Sequence, residues 1–192
     1  MTSSPMDVAG LVIDVLKALD VPYMIGGSLA SAVHGIARST LDVDLVAALC
    51  PEHAEALVRA LGNAFYADLD AIRTAIASRT SFNLIHLETM TKVDVFVLKG
   101  RPYDHAQFAR RTEQVVAMSP ERRAWVASAE DTILSKLEWY RLGGEVSERQ
   151  WRDVLGIISA QAERLDVAYM RRWARTLGVG DLLERALTET SR

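Results

Sequence analysis

The chain has 192 residues, nearly half of them apolar, and a formal charge of −3, which suits a compact domain with a genuine core and argues against a protein that holds nucleic acid through a general basic field. Its single cysteine, Cys50, cannot form an internal disulfide, and no apolar run approaches the roughly eighteen residues of a membrane span. The first apolar stretch, Leu11 to Leu19, is broken by Asp14 and Lys17 with no basic leader before it, so the expected setting is cytoplasmic and away from any membrane.

Ser4, Pro5 and Asp7 read as an N-cap, a first-turn proline and a favourable early acid, predicting a helix over residues 5–19. "VPYMIG" reads as a short buried strand running into Gly26-Gly27-Ser28, and a helix follows over 28–35. "LDVDLVAA" alternates like a half-buried strand. Pro51 opens a helix to about Gly62, with Ala54, Leu57, Val58 and Leu61 on one face, and residues 68–78 are helical as well. "SFNLIHLE" and "KVDVFVLK", joined by the short "TMT", form an expected antiparallel hairpin. After a short helix over 104–111 come two strands, "EQVVAM" and "RAWVAS". From Glu130 onward only helical periodicity remains, over 130–143, 147–162, 165–178 and 181–189, with a capping box from Ser147 to Gln150. The implied class is α+β: a mixed sheet flanked by helices over residues 1–128, with a C-terminal helical bundle over 129–192 packed on it, since no low-complexity linker separates them.

Within this pattern Asp42 and Asp44 share one strand face while Leu41, Val43 and Leu45 take the other. Carboxylates about 5 Å apart repel by about 3 kcal/mol at an effective dielectric of 20, so such a pair is either wet or holds a cation. Asp94 is a third acid in the middle of an apolar strand, and three acids from two strands can surround a hard divalent cation. Taken singly these features are bland. D-x-D is more often a solvated strand face, and Gly-Gly before a helix is a common turn device. Their conjunction is what points to a site.

That conjunction, "IGGS" followed by "DVDL", resembles the signature of the DNA polymerase β-like nucleotidyltransferase superfamily: a Gly-Gly or Gly-Ser pair, a spacer of roughly nine to thirteen residues, then Asp-hydrophobic-Asp-hydrophobic. Counted from Gly27-Ser28 the spacer here is 13 residues. "GIARSTLDVDL" is similar to the form seen in bacterial stand-alone members, including the AbiEii-like toxin type, and "SAEDTILSKLEWY" to their lysine-bearing helix. "RQWRDVLGI" resembles a later helical motif, with Gln150 departing from its first acid and Asp153 matching its second. The resemblance implies transfer of a nucleoside monophosphate from an NTP to an unknown acceptor, a tRNA end, a protein or a small molecule, with release of pyrophosphate. It implies Asp42, Asp44 and Asp94 as catalytic ligands of two Mg²⁺ ions, with Mn²⁺ as a substitute, and Asp94 as the acid beside the nucleophile. Gly26, Gly27 and Ser28 would bind the nucleotide through free backbone N–H groups at a helix start. Arg38, near the aspartates, and Lys136, by the resemblance, would add phosphate contacts. The alternative is a toxin–antitoxin component, or a degenerate transferase, that binds a cognate partner protein.

Weaker signals read structurally. Cys50 and His53 have metal-like spacing but no second pair, and His34, His86 and His105 are scattered. Trp125, Trp139, Trp151 and Trp173 are expected in core and tail packing. "MRRWAR" at 170–175 is the one concentrated basic patch, expected as a solvated helix face that could also steer a tRNA or NTP.

Overall fold

The computed structural model describes residues 4–35, 42–118 and 121–191. Chain order begins with helix α1 (Pro5–Ala18), capped reciprocally by Ser4 and Asp7, then strand β1 (Tyr23–Ile25), helix α2 (Gly27–His34) and strand β2 (Val43–Ala47). Helix α3 (His53–Leu61), a two-residue strand β3 (Phe65–Tyr66) and helix α4 (Leu69–Ser78) lead to the hairpin β4 (Ser81–His86) and β5 (Thr91–Val97). Helix α5 (Pro102–Ala109) and the hairpin β6 (Thr112–Met118) and β7 (Glu121–Val126) complete the first part. Helices α6 (Ala129–Leu142), α7 (Glu148–Gln161), α8 (Val167–Thr176) and α9 (Gly180–Thr190) follow.

The strands form one seven-stranded mixed sheet in the order β3-β4-β5-β2-β1-β7-β6. β2 runs parallel to β5 and antiparallel to β1, while β1 runs parallel to β7. Alternation does what the sequence pattern demands. Val43, Leu45, Val93, Val95, Phe82 and Leu84 point to one face, where they are buried against Val12 and Leu16 of α1, Leu57 of α3 and Ile72 of α4. Each such burial contributes roughly 1.5–3 kcal/mol against the entropy of ordering the chain.

The other face is divided. Its β1 end is covered, with Met24 and Val46 packed on Phe108 of α5 and on Ala127. Helices α6 to α9 form a second core of their own around Leu134, Leu137, Ile157 and Leu183, joined by Tyr103 from α5. α2 packs on α6 and α7, so the start of α2 stands between the sheet and the helical tail. The class is thus α+β, as the patterns imply, although the two residues of β3 are too short to register as periodicity. Among the described residues no helix is long and apolar enough to cross a membrane.

Candidate active site

Two strand registers assemble the acids. In the parallel pair β2/β5, Asp44 lies directly beside Asp94, and in the antiparallel pair β4/β5, Asn83 lies opposite Asp94. Registered residues share a face, so Asp44, Asp94 and Asn83 form a row across three strands on the side away from the apolar layer. Asp42 precedes β2 at an exposed position, and its charge acts on Asp44. Asp44 and Asp94 are partly covered, on the stretch of this face that α5 leaves open.

The glycine turn closes over this row. The Gly26 N–H donates to the Asp44 carbonyl at 2.9 Å, fastening the exit of β1 to β2. The Ser28 N–H, one of the amides that a helix start leaves without an intrahelical partner, donates to the Asp44 carboxylate. Gly27 has φ of +53°, and a methyl group placed on it would lie 1.8 Å from Asp44 Oδ2. Only a residue without a Cβ lets this backbone pass so near the acid. Around Gly26, by contrast, nothing lies within 4 Å of the same imagined group.

Electrostatically the row is unbalanced. Burial pushes the Asp44 carboxyl up, the neighbouring Asp94 and Asp42 charges push it further, and the Ser28 N–H and Lys136 pull it back only in part. Lys92 supplies a cation from within the chain: its Nζ sits 2.8 Å from Asp94 Oδ2, and the hydrogen bond to Asp94, with the charges of Asp42 and Asp44, holds its ammonium above the ordinary lysine range. Among the described residues no three His, Cys, Asp or Glu side chains stand close enough to enclose a metal ion. The adjacent Asp44 and Asp94 carboxylates, with Lys92 drawn to Asp94, offer the oxygen donors that hard divalent cations prefer without enclosing a site.

Lys136 reaches the site from α6. Its Nζ donates to Asp153 of α7 at 2.9 Å, and both side chains are about nine-tenths covered, at 10% and 11% exposure. Asp153, the matching acid of the later helical motif, thus partners this lysine and positions it. Removing one member of such a pair strands a buried charge at a cost of about 3–5 kcal/mol. Urea denaturation of Lys136→Met should show a loss of that size, and Lys136→Met combined with Asp153→Leu should recover most of it. An unchanged midpoint in the single variant would mean that the pair is not buried as drawn.

Arg149, at the start of α7, opens the run "RQWRDVLGI" but has no role assigned by it, yet its Nη2 donates to Ser28 Oγ at 3.2 Å. Arg38, expected as a phosphate contact, lies outside the described residues. His34 Nε2 is 2.6 Å from the Ala127 carbonyl, and His86 Nδ1 is 2.9 Å from Thr89 Oγ1, so both are hydrogen-bonded structural groups. Cys50 Sγ is 2.9 Å from His53 Nδ1. The basic patch is partly spent, with Arg171 paired to Glu184 at 2.7 Å and Arg172 lying over the Tyr169 and Trp173 rings. The tryptophans depart from expectation. Trp151 is buried and Trp173 packs on the second core, but Trp125 and Trp139 are substantially exposed.

No family model and no curated protein matches the chain. Solved structures do. The antibiotic-resistance factor ANT(2'')-Ia in solution superimposes with a TM-score of 0.58 at 15% identity, over 98% of this chain and 100% of that one. Its crystal structure in complex with adenylyl-2''-tobramycin gives 0.57 at 15% identity, over 88% and 95%. The lincosamide antibiotic adenylyltransferase LnuA, bound to lincomycin, gives 0.51 at 14% identity, over 79% and 95%. At these identities the likeness is one of fold: the chain is built as nucleotidyltransferases are.

Proposed function

We propose that the chain transfers a nucleoside monophosphate from an NTP to a hydroxyl of a small-molecule acceptor, releasing pyrophosphate. The observation that carries this reading is the side-by-side placing of Asp44 and Asp94 on an open sheet face, beneath a glycine turn that starts a helix. The structural neighbours named for antibiotic adenylyl transfer support a small acceptor over a tRNA end or a protein. So does the partial neutralisation of the one basic patch.

In this reading Asp42, Asp44 and Asp94 would hold divalent cations, Mg²⁺ or Mn²⁺ in its place. When bound, such ions offset charge growing on the attacking and leaving oxygens and lower the pKa of the acceptor hydroxyl. The turn at Gly26, Gly27 and Ser28 presents the positive end of α2 to the triphosphate, while its Gly26 and Ser28 N–H groups are held by Asp44. Arg149 and Lys136, on helices that pack against α2, add cationic contacts to the phosphates. Asp94 lies on the far side of Asp44 from α2, because β5 and β1 flank β2 on opposite edges. The phosphates therefore occupy the α2 side and the acceptor the β5 side, where the Asp94 carboxylate takes the hydroxyl proton.

The test is incubation with each [α-³²P]NTP and a panel of small hydroxylated compounds, with and without EDTA. Label should move to a small molecule only when divalent cation is present. NTP binding that persists unchanged without divalent cation, with no label transferred to any acceptor, would favour the alternative of a protein-binding module that keeps the fold without its chemistry.

A further inference from the structure

Beyond the acids, the open face of β5 continues in an unexpected way. Its side chains on that face are Lys92, Asp94 and Phe96 in succession, so the Phe96 Cα stands about 7 Å from that of Asp94. Trp139 meets Phe96 edge-on, with ring centroids 6.3 Å apart. It lies three residues along α6 from Lys136 and so shares its helix face. The residue is 51% exposed although its ring meets Phe96 at one edge. On the neighbouring strand Ser81 lies opposite Phe96 and Asn83 opposite Asp94, and both are exposed. The proton-accepting carboxylate is thus followed by an aromatic pair with a hydroxyl and an amide along its border, all on the side of Asp44 away from the phosphate-binding turn.

We propose that Phe96 and Trp139 form the acceptor platform, and that the acceptor presents a polyhydroxylated ring to it. This rests on the transferase reading and assigns its second substrate. Such a ring has an apolar C–H face that packs on an aromatic surface, as amphipathic rings do at wet interfaces. Its rim of hydroxyls matches the Asn83 amide and Ser81 hydroxyl, and one hydroxyl reaches Asp94.

Tobramycin and lincomycin, which each carry a hydroxylated ring, serve as probes in calorimetric and tryptophan-fluorescence titrations of the full chain with Mg²⁺ and a non-reactive ATP analogue. At least one should bind and quench wild-type emission. Trp139→Ala should remove the quenching and weaken binding roughly 5- to 100-fold, Phe96→Ala should weaken it similarly, and Trp139→Phe should restore affinity to within a few-fold of wild type. In turnover the loss should fall on the acceptor KM more than on kcat. Mg²⁺–ATP titrations of the same variants separate the two readings. If wild type fails to bind Mg²⁺–ATP, the transferase reading fails. If Mg²⁺–ATP binds normally but neither probe binds, or Trp139→Ala leaves probe affinity unchanged, the platform alone is overturned. Weakened Mg²⁺–ATP binding in Trp139→Ala with probe binding intact would assign the rings to the base and overturn it too.

Discussion

Replacing Asp44 with asparagine is expected to abolish nucleotidyl transfer and, near neutral pH, to raise the melting temperature of the metal-free protein. The first effect follows from the chemistry assigned to the acid: charge stabilisation worth about 4 kcal/mol corresponds to a loss of about a thousandfold. The second follows from its surroundings. Burial and the flanking Asp94 and Asp42 charges raise the folded-state pKa above its unfolded value, so the folded chain favours the protonated form. For a carboxyl shifted upward, the stabilising contribution is complete below the unfolded value of about 3.9 and is lost as pH climbs through the raised folded value. Wild type therefore bears the penalty near neutrality and is free of it in acid.

Asparagine has no charge to bury, and its Oδ1 can still accept the Ser28 N–H. The gain in melting temperature should thus be clear near neutral pH and vanish below about pH 4. Added Mg²⁺ should raise the melting temperature of wild type by mass action and have much less effect on the variant. Melting curves at the two pH values, each with and without Mg²⁺, decide the matter. An Asp44→Asn protein less stable than wild type near neutrality would show that the carboxylate is a structural anchor and not a strained ligand.

This opposition between stability and chemistry explains how much of the site could be read before folding. Asp42, Asp44 and Asp94 were legible because they break apolar runs at a two-residue period, and alternation assigns them to the face opposite Val43, Leu45, Val93 and Val95. The register that sets Asp44 beside Asp94 was not legible, because the two acids lie fifty positions apart and a parallel pairing leaves no local turn signal. Lys92 has the same parity as Asp94, so K-x-D contained the ion pair, but an exposed lysine on a strand is too ordinary to single out. Arg149 sits in a run that reads as a helix cap, and only the packing of α2 on α7 brings it to Ser28. Trp139 was misplaced for a related reason. Helical spacing puts it in line with Lys136, but spacing does not say that the α6 face bearing both overlooks the open sheet and not the second core.

The same close packing leads to the sharpest contrast the turn offers: Gly27→Ala should be disabling, and Gly26→Ala should not. In the sequence Gly27-Ser28 gives the 13-residue spacer and Gly26-Gly27 one residue more, so spacing alone does not say which glycine does which job. In the folded chain Gly26 has φ of −120° with nothing within 4 Å of an added Cβ. Alanine there keeps the N–H that reaches the Asp44 carbonyl and adds only a methyl group in open space. Gly27 combines a left-handed φ of +53° with a Cβ position 1.8 Å from Asp44 Oδ2. The conformation alone costs a non-glycine residue about 1–3 kcal/mol, and relief of the clash must move either the carboxylate or the start of α2. Either movement breaks the alignment of the Ser28 N–H with Asp44 and misplaces the phosphate turn, for which a 1 Å error can cost about a hundredfold. Gly27→Ala should therefore lose at least about 1–3 kcal/mol in urea denaturation and about a hundredfold or more in NTP labelling, while Gly26→Ala stays close to wild type in both. Equal behaviour of the two variants would mean that Asp44 does not lie beneath Gly27, and the site as assembled from β1, α2 and β2 would have to be given up.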